Sequence, residues 1–366
     1  MESTTPSSEV VAAESSTGGP AWLTILSRFW AYLFLLILLI VFTIGNPAFF
    51  SVAGAMNILT TAAPILLMAL GQTFVIITAG IDLSVGWTMG LGSVTSALVM
   101  RGLYDGGMNE LAAVAIGMLV GVAICIIPGL INGFLIARVN VPAFIATLGM
   151  FNIVRGAALL LSQGNTVADL PPHLSDFGNG NFLYFLHGGI FFFNPPDNLA
   201  RSDLREIVRL LPYPVIVTIV ITILAAFILA RTRFGRRTYA IGGNMQAAIR
   251  AGIPVKLHLI RIYVLAGVLA GVAGVLYTSR FTGGSFQAGE ANLLDGVAAV
   301  VIGGASLFGG TGNIGGTVVG SIILAVLTTG LVMMNVPPFW QFVAVGSVVI
   351  LAVLIDQARS LLRLEA

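Results

Sequence analysis

Long apolar runs separated by short polar breaks dominate the chain. Ten such runs stand out, at about residues 29–45, 58–79, 83–100, 112–136, 141–161, 213–230, 260–279, 291–308, 312–333 and 338–355. Each approaches the roughly 20 residues that an α-helix needs to cross a bilayer. The runs are continuously apolar, whereas barrel strands would alternate, so the pattern predicts helices. Glycine-rich stretches near Asp82 and Gly310 interrupt it and predict broken or re-entrant segments.

Composition agrees with the pattern. Of 366 residues, 57% are hydrophobic and 9% charged, against about 25% charged in a soluble domain. The expected class is all-α and integral to a membrane. The 44 glycines suit close helix crossings. Cys125 is the single cysteine, so no intrachain disulfide can form. Residues 1–20 are Ser/Thr/Gly-rich with three Glu and no Lys or Arg, unlike the positive start of a signal peptide. Residues 1–28 are therefore read as a disordered cytoplasmic tail, 29–355 as the transmembrane domain and 356–366 as a cytoplasmic C-terminus.

Charge fixes the expected orientation. Segment 231–261 holds seven Lys/Arg and no Asp/Glu, and short loops rich in Lys/Arg stay in the cytoplasm. With ten spans and this loop inside, eleven Lys/Arg fall inside and six outside, and both termini are cytoplasmic. The longest outside segment, 162–212, is then a functional cap or a mobile loop. Within it, LREIVRLL (204–211) could form a short amphipathic helix.

One short motif recurs. NVPAF (140–144) returns as NVPPF (335–339), each opening the last run of its half. Two halves of five spans have opposite orientations, so the echo predicts an inverted repeat with the substrate route near its pseudo-two-fold axis.

Candidate chemistry is sparse. His173, His187 and His258 are placed in loops without metal-ligand spacing, and no GxxxxGK[ST] phosphate loop occurs. No catalytic residue, metal or cofactor is expected in this chain, so any ATP and Mg would sit on a partner. Asp82 interrupts a run free of other charges, where a carboxylate must be capped, paired or facing water. Two readings of it stand together: with Ser84 it belongs to the translocation route, or it is the N-cap of a helix starting at Leu83. Gln72, Asn57 and Asn152 are polar groups within apolar runs, suited to hydroxyl-rich substrates or to helix–helix bonds. Arg155 would meet substrate, pair with an acid or snorkel outward. Glu290 and Asp295 suit a helix N-terminus. The glycines of 303–316 lack the lysine of a nucleotide loop and predict tight crossings or a re-entrant hairpin.

Segment 231–261 also predicts a small platform. Asn244 is a candidate N-cap after Gly242-Gly243. In the helix that follows, Gln246 and Arg250 share a stripe, and Met245 and Ile249 form an apolar ridge. Ala247, Ala248, Ala251 and Gly252 form a small-residue face open to close approach, and Pro254 ends the helix. Topology or anionic lipid explains the charge but not this helix, which points to a docking partner.

These residues resemble the permease subunits of bacterial ABC sugar importers of the ribose/xylose type. The resemblance rests on GIDLSVG (80–86), INGFLIARVNVPAFIATLG (131–149), FGRRTYAIGGNMQAAIRAGI (234–253) and GGASLFGGTGNIGGTVVG (303–320), spread over nearly the whole chain after the tail. It implies an inner-membrane homodimer in which residues 244–252 are a coupling helix for a cytoplasmic ATPase. It also implies a periplasmic sugar-binding protein that delivers a small neutral sugar or polyol. Membrane lipid is the remaining expected contact, and nucleic acid is not expected. Segment 162–212 is longer than the family pattern. The alternatives weighed against this reading are an ion-coupled secondary transporter and an ABC permease for branched-chain amino acids or urea.

Overall fold

The computed structural model describes residues 21–186, 189–193, 207–290, 293–337, 339–348, 350–351 and 354. Residues 1–20 of the expected tail, residues 204–206, His187 and the C-terminus 356–366 lie outside them, while residues 21–28, read as disordered tail, are helical. Helices carry most of the described chain. In order they are α1 (Ala21–Gly45), α2 (Val52–Ile77), α3 (Val85–Asp105), α4 (Glu110–Ile124), α5 (Ile126–Arg138) and α6 (Ala143–Ser162). After a short α7 (Leu174–Asn179) come α8 (Tyr213–Arg231), α9 (Arg233–Gly243), α10 (Met245–Arg250), α11 (Val255–Phe281), α12 (Leu293–Ile302) and α13 (Ile314–Met333). A last apolar helix, α14, covers Phe339–Val348.

Among the described residues, six helical stretches are long and apolar enough to cross a membrane: Val52–Ile77, Glu110–Arg138, Ala143–Ser162, Tyr213–Arg231, Val255–Phe281 and Ile314–Met333. Trp30–Gly45 and Phe339–Val348 are shorter apolar helices. Helix α3 is long but dotted with Gly, Ser and Thr, and it is buried along most of its length. Ser93 on it shares a hydrogen bond with the Thr278 hydroxyl of α11 at 2.8 Å. The run expected at 291–308 ends as a helix at Ile302 and continues as a glycine-rich loop.

Glu110–Arg138 is one span in two pieces. Pro128 has no N–H and its ring crowds the carbonyl four residues back, and the helix breaks there, at Cys125 between α4 and α5. Cys125 is free and buried. At this break α11 passes so closely that a Cβ on Gly267 would collide with the Cys125 carbonyl oxygen. Helix α11 is the central post, and its residues pack with those of α2, α3 and α8 in the largest apolar core.

Segment 162–212 is not all loop. It holds α7 and a three-stranded antiparallel sheet, β1 (Asn181–Leu186), β2 (Gly189–Phe192) and β3 (Val208–Pro212), in the order β2-β1-β3. Leu183 sits opposite both Phe192 and Leu210. The all-α expectation is corrected here, as is the amphipathic helix over 204–211, of which residues 208–211 are strand. The sheet sits at one end of the bundle, tied to the end of α11 by Asn179 Nδ2 donating to the Arg280 carbonyl at 2.9 Å. At the opposite end lie α9, α10 and the loops after α2 and α12. We call these the sheet face and the platform face.

Candidate functional site

The first candidate is the loop joining α2 to α3. Helix α2 ends at Ile77, and Ala79 takes the left-handed conformation at φ 59°. Asp82 follows, 3% exposed. Its Oδ1 accepts from the Ser84 backbone N–H at 2.9 Å and from the Ser84 hydroxyl at 2.6 Å. The helix starts at Val85 with Ser84 in the cap position, so Asp82 does not cap a helix beginning at Leu83. It closes an Asx turn one step earlier.

Three helices hold that turn. Gln72 on α2 donates its side-chain N–H to the Asp82 carbonyl. Asn132 on α5 donates to the Ser84 Oγ at 2.9 Å, and the Thr147 hydroxyl of α6 lies 3.3 Å from the Ile81 carbonyl. The Ser84 proton is committed to Asp82, so Asn132 must present its N–H₂ there. That orientation leaves Asn132 Oδ1 unpaired, as are Gln72 Oε1 and the Tyr263 hydroxyl, all three buried. A Cβ on Gly80 would stand 2.7 Å from the Tyr263 hydroxyl, which places that group against the same turn. Asn132 and Tyr263 escaped the sequence reading. Asn132 carried the same signal as Gln72, an amide within an apolar run.

The other route residues do not join this cluster. Asn57 is exposed on α2, fifteen residues from Gln72 and so about 22 Å along the helix. It lines a cavity of ≈ 360 Å³ at the sheet face with Asn179, Asn181, Arg209 and Arg280. Asn152 and Arg155 are exposed on α6. The Asn152 amide bonds back to the Leu148 carbonyl at 3.3 Å. The Arg155 guanidinium lies 5.0 Å from the centre of the Trp87 ring, which itself stacks on Phe286. The Arg155–Trp87 pair is a cation–π contact. Asp295 is buried in the first turn of α12, as expected, while Glu290 is exposed in the preceding loop.

The second candidate is the platform. Thr232 caps α9 by accepting from the Phe234 and Gly235 N–H groups. Asn244 caps α10 by accepting from the Ala247 N–H at 2.9 Å. Gly252, at φ 75°, closes the helix, with the Ile253 N–H returning to the Ala248 carbonyl. The stop is therefore Gly252, and Pro254 opens α11 instead. Ala248 is buried with Ala137, Ile241, Val255 and Leu259. The small-residue face is thus divided: Ala248 anchors the helix to the bundle, while Gln246, Ala247, Arg250, Ala251 and Gly252 are exposed. Met245 and Ile249 are 41% and 50% exposed. His258, expected in a loop, is buried in α11. Its Nε2 lies 2.9 Å from the Thr238 hydroxyl of α9 and its ring 4.4 Å from that of Phe234.

The glycine-rich loop 303–313 reaches the platform. Gly310 donates its N–H to the Ile77 carbonyl at 2.8 Å, and the Tyr239 hydroxyl of α9 donates to the Gly312 carbonyl at 2.7 Å. Phe308 at its tip is 87% exposed. Two glycines then let α12 and α13 touch, since a Cβ on Gly316 would collide with the Gly303 carbonyl. Of the two expectations for these glycines, the tight crossing is what Gly303 and Gly316 form. Asn140 and Asn335, which open the repeated motif, share the left-handed conformation at φ 61° and 56°. Among the described residues no three His, Cys, Asp or Glu side chains gather as a metal site would need.

A family model described as "Branched-chain amino acid transport system / permease component" matches residues 54–355. The chain belongs to this permease family. Its curated relatives include the ribose import permease protein RbsC of Bacillus subtilis, 38% identical over 92% of this chain and 94% of the relative. The galactose/methyl galactoside import permease protein MglC of Escherichia coli is 35% identical over 94% of this chain and 98% of the relative. The xylose transport system permease protein XylH of Haemophilus influenzae is 34% identical over 86% and 91%. No solved structure matches. The permease's four signature stretches now have places: residues 80–86 form the Asp82 turn, 131–149 its supports, 234–253 the platform and 303–320 the loop and crossing beside it.

Proposed function

We propose that this chain is the membrane subunit of an ATP-driven importer for a small neutral sugar or polyol. The observation that carries the reading is similarity at 34–38% identity, over most of the chain, to permeases named for ribose, xylose and galactose. The family description names branched-chain amino acids, but these near-full-length relatives favour a sugar over an amino acid or urea. Amides and hydroxyls around the Asp82 turn suit a substrate that carries only hydroxyl groups. The sugar relatives also weigh against an ion-coupled carrier.

On this reading residues 244–252 are the coupling helix. The exposed side of α10 meets a cytoplasmic ATPase that holds ATP and Mg. The platform face is cytoplasmic, with the tail and C-terminus on that side, and the sheet face receives a periplasmic sugar-binding protein. A second copy of the chain completes the pathway, and the outward Asn152 and Arg155 face it rather than lipid, where a guanidinium is costly. Ten spans in two inverted halves are the proposed topology, supported by the shared backbone turn at Asn140 and Asn335.

Each nucleotide or ligand step shifts the transporter only by its differential affinity for the two states. Vesicles holding the permease with its co-purifying ATPase should take up ribose, xylose or galactose from a loaded binding protein, and ATP depletion should stop uptake. Uptake that survives depletion but collapses with an ionophore would overturn the proposal.

A further inference from the structure

Three separate segments meet at one backbone oxygen, the carbonyl of Ile77 at the end of α2. Gly310 of the glycine-rich loop donates its N–H to it at 2.8 Å. Gly242, at the end of α9, packs so closely that a Cβ there would collide with the same oxygen and stand 2.6 Å from the Gly310 nitrogen. A Cβ on Gly310 would in turn stand 3.3 Å from the Gly243 Cα, one residue before the cap of α10. Tyr239 closes the fourth side through its hydroxyl on the Gly312 carbonyl.

The joint is narrow and stiff. Backbone of Ile77, Gly242 and Gly310 meets on three sides, and packed backbone transmits displacement instead of absorbing it. On one side lies α10. On the other, two residues past Ile77, Ala79 starts the left-handed turn that leads to Asp82. Three buried polar groups lie against that turn, Gln72 Oε1, Asn132 Oδ1 and the Tyr263 hydroxyl, with no partner in the protein. Groups unpaired in one arrangement favour a second in which they are paired.

We infer that Gly242, Gly310 and Tyr239 form a transmission joint, carrying movement of α10 through the Ile77 carbonyl to the Asp82 turn. They are positioning residues and touch neither substrate nor the ATPase. The inference rests on the proposed reading of α10 as a coupling helix, and the experiment separates the two.

Three variants are compared in vesicles with the ATPase that co-purifies with the wild-type chain: Tyr239→Phe, Gly242→Ala and, on the exposed side of α10, Ala251→Glu. Co-purification, ATP hydrolysis and sugar uptake are measured for each. The joint predicts that Tyr239→Phe and Gly242→Ala keep the ATPase bound and hydrolysing, while sugar moved per ATP falls, by roughly tenfold for Gly242→Ala. Ala251→Glu should instead lose co-purification. Should Gly242→Ala fail to reach the membrane, Tyr239→Phe, which keeps its ring, carries the test. An unchanged ratio of uptake to hydrolysis in Tyr239→Phe, with Ala251→Glu unable to bind, sinks the joint alone. Full binding and uptake by Ala251→Glu sinks the coupling-helix reading beneath it.

Discussion

At the scale of single residues, the Asp82 turn shows how a charge-bearing side chain is kept inside a membrane protein. Its carboxylate takes two hydrogen bonds from Ser84, and its carbonyl takes one from Gln72. Replacing Gln72 with Leu removes that donor and leaves a buried carbonyl unpaired, at a cost of about 1–3 kcal/mol. Thermal unfolding in detergent should show the loss, and sugar uptake should fall with it; unchanged values for both would show that the turn does not rely on Gln72. The sequence singled out Asp82, Ser84 and Gln72 because polar groups are conspicuous in apolar runs. It misassigned the cap because a helix start depends on where the preceding chain turns, and Ala79 sets that. Asn132 and Tyr263 converge on the turn from helices 50 and more positions away, which no local pattern records.

At the scale of elements, close crossings and one surface latch carry the consequences. Helices α11 and α4–α5 meet backbone to backbone at Gly267 and Cys125. Gly267→Ala should overpack this crossing and destabilise the protein by about 1–3 kcal/mol, lowering its melting temperature in detergent. At the sheet face, His173 donates its backbone N–H to Glu110 at 2.7 Å and pairs its Nδ1 with the other carboxylate oxygen at 2.9 Å. This latch joins the segment before α7 to the first turn of α4. The hydrogen bond that the His173 ring donates to Glu110, then the charges of Glu110 and Asp176, raise the His173 pKa above its ordinary 6.5. While Glu110 is ionised, the ion pair is therefore fully present below pH 6.5, and it is lost as pH rises through the raised value. Hydrogen exchange in residues 171–179 should quicken over that range, and Glu110→Gln should remove the pH dependence. Equal exchange at pH 6 and pH 8.5 would show that the latch plays no part. Elements were partly legible. The runs at 112–136, 141–161, 213–230 and 312–333 match helical stretches to within two residues at each end. The run at 29–45 starts eight residues late, and 291–308 overruns its helix by six. The sheet was missed because its short aromatic strands read as one more apolar stretch in a loop.

At the scale of the whole molecule, the bundle places a rigid post, α11, between a sheet-bearing face and a platform, with the Asp82 turn reached from the platform through backbone contacts. If this arrangement serves import, substituting the exposed Arg250 with Glu should cut ATPase co-purification and uptake together while leaving membrane insertion intact; normal uptake would exclude that surface from coupling. The sequence by itself determined that the chain is a helical membrane protein, where its apolar helices run, that a capped helix follows Gly242-Gly243 and which family it resembles. Those properties are local: hydropathy, cap chemistry and motif order are read along the chain. The tertiary structure decided that Ala248 turns inward while Ala251 stays out, that Asn57 and Arg155 stand apart from Asp82, and that the glycine loop closes on Ile77. Such facts depend on which helix faces which, and that is fixed by backbone approach between residues far apart in sequence.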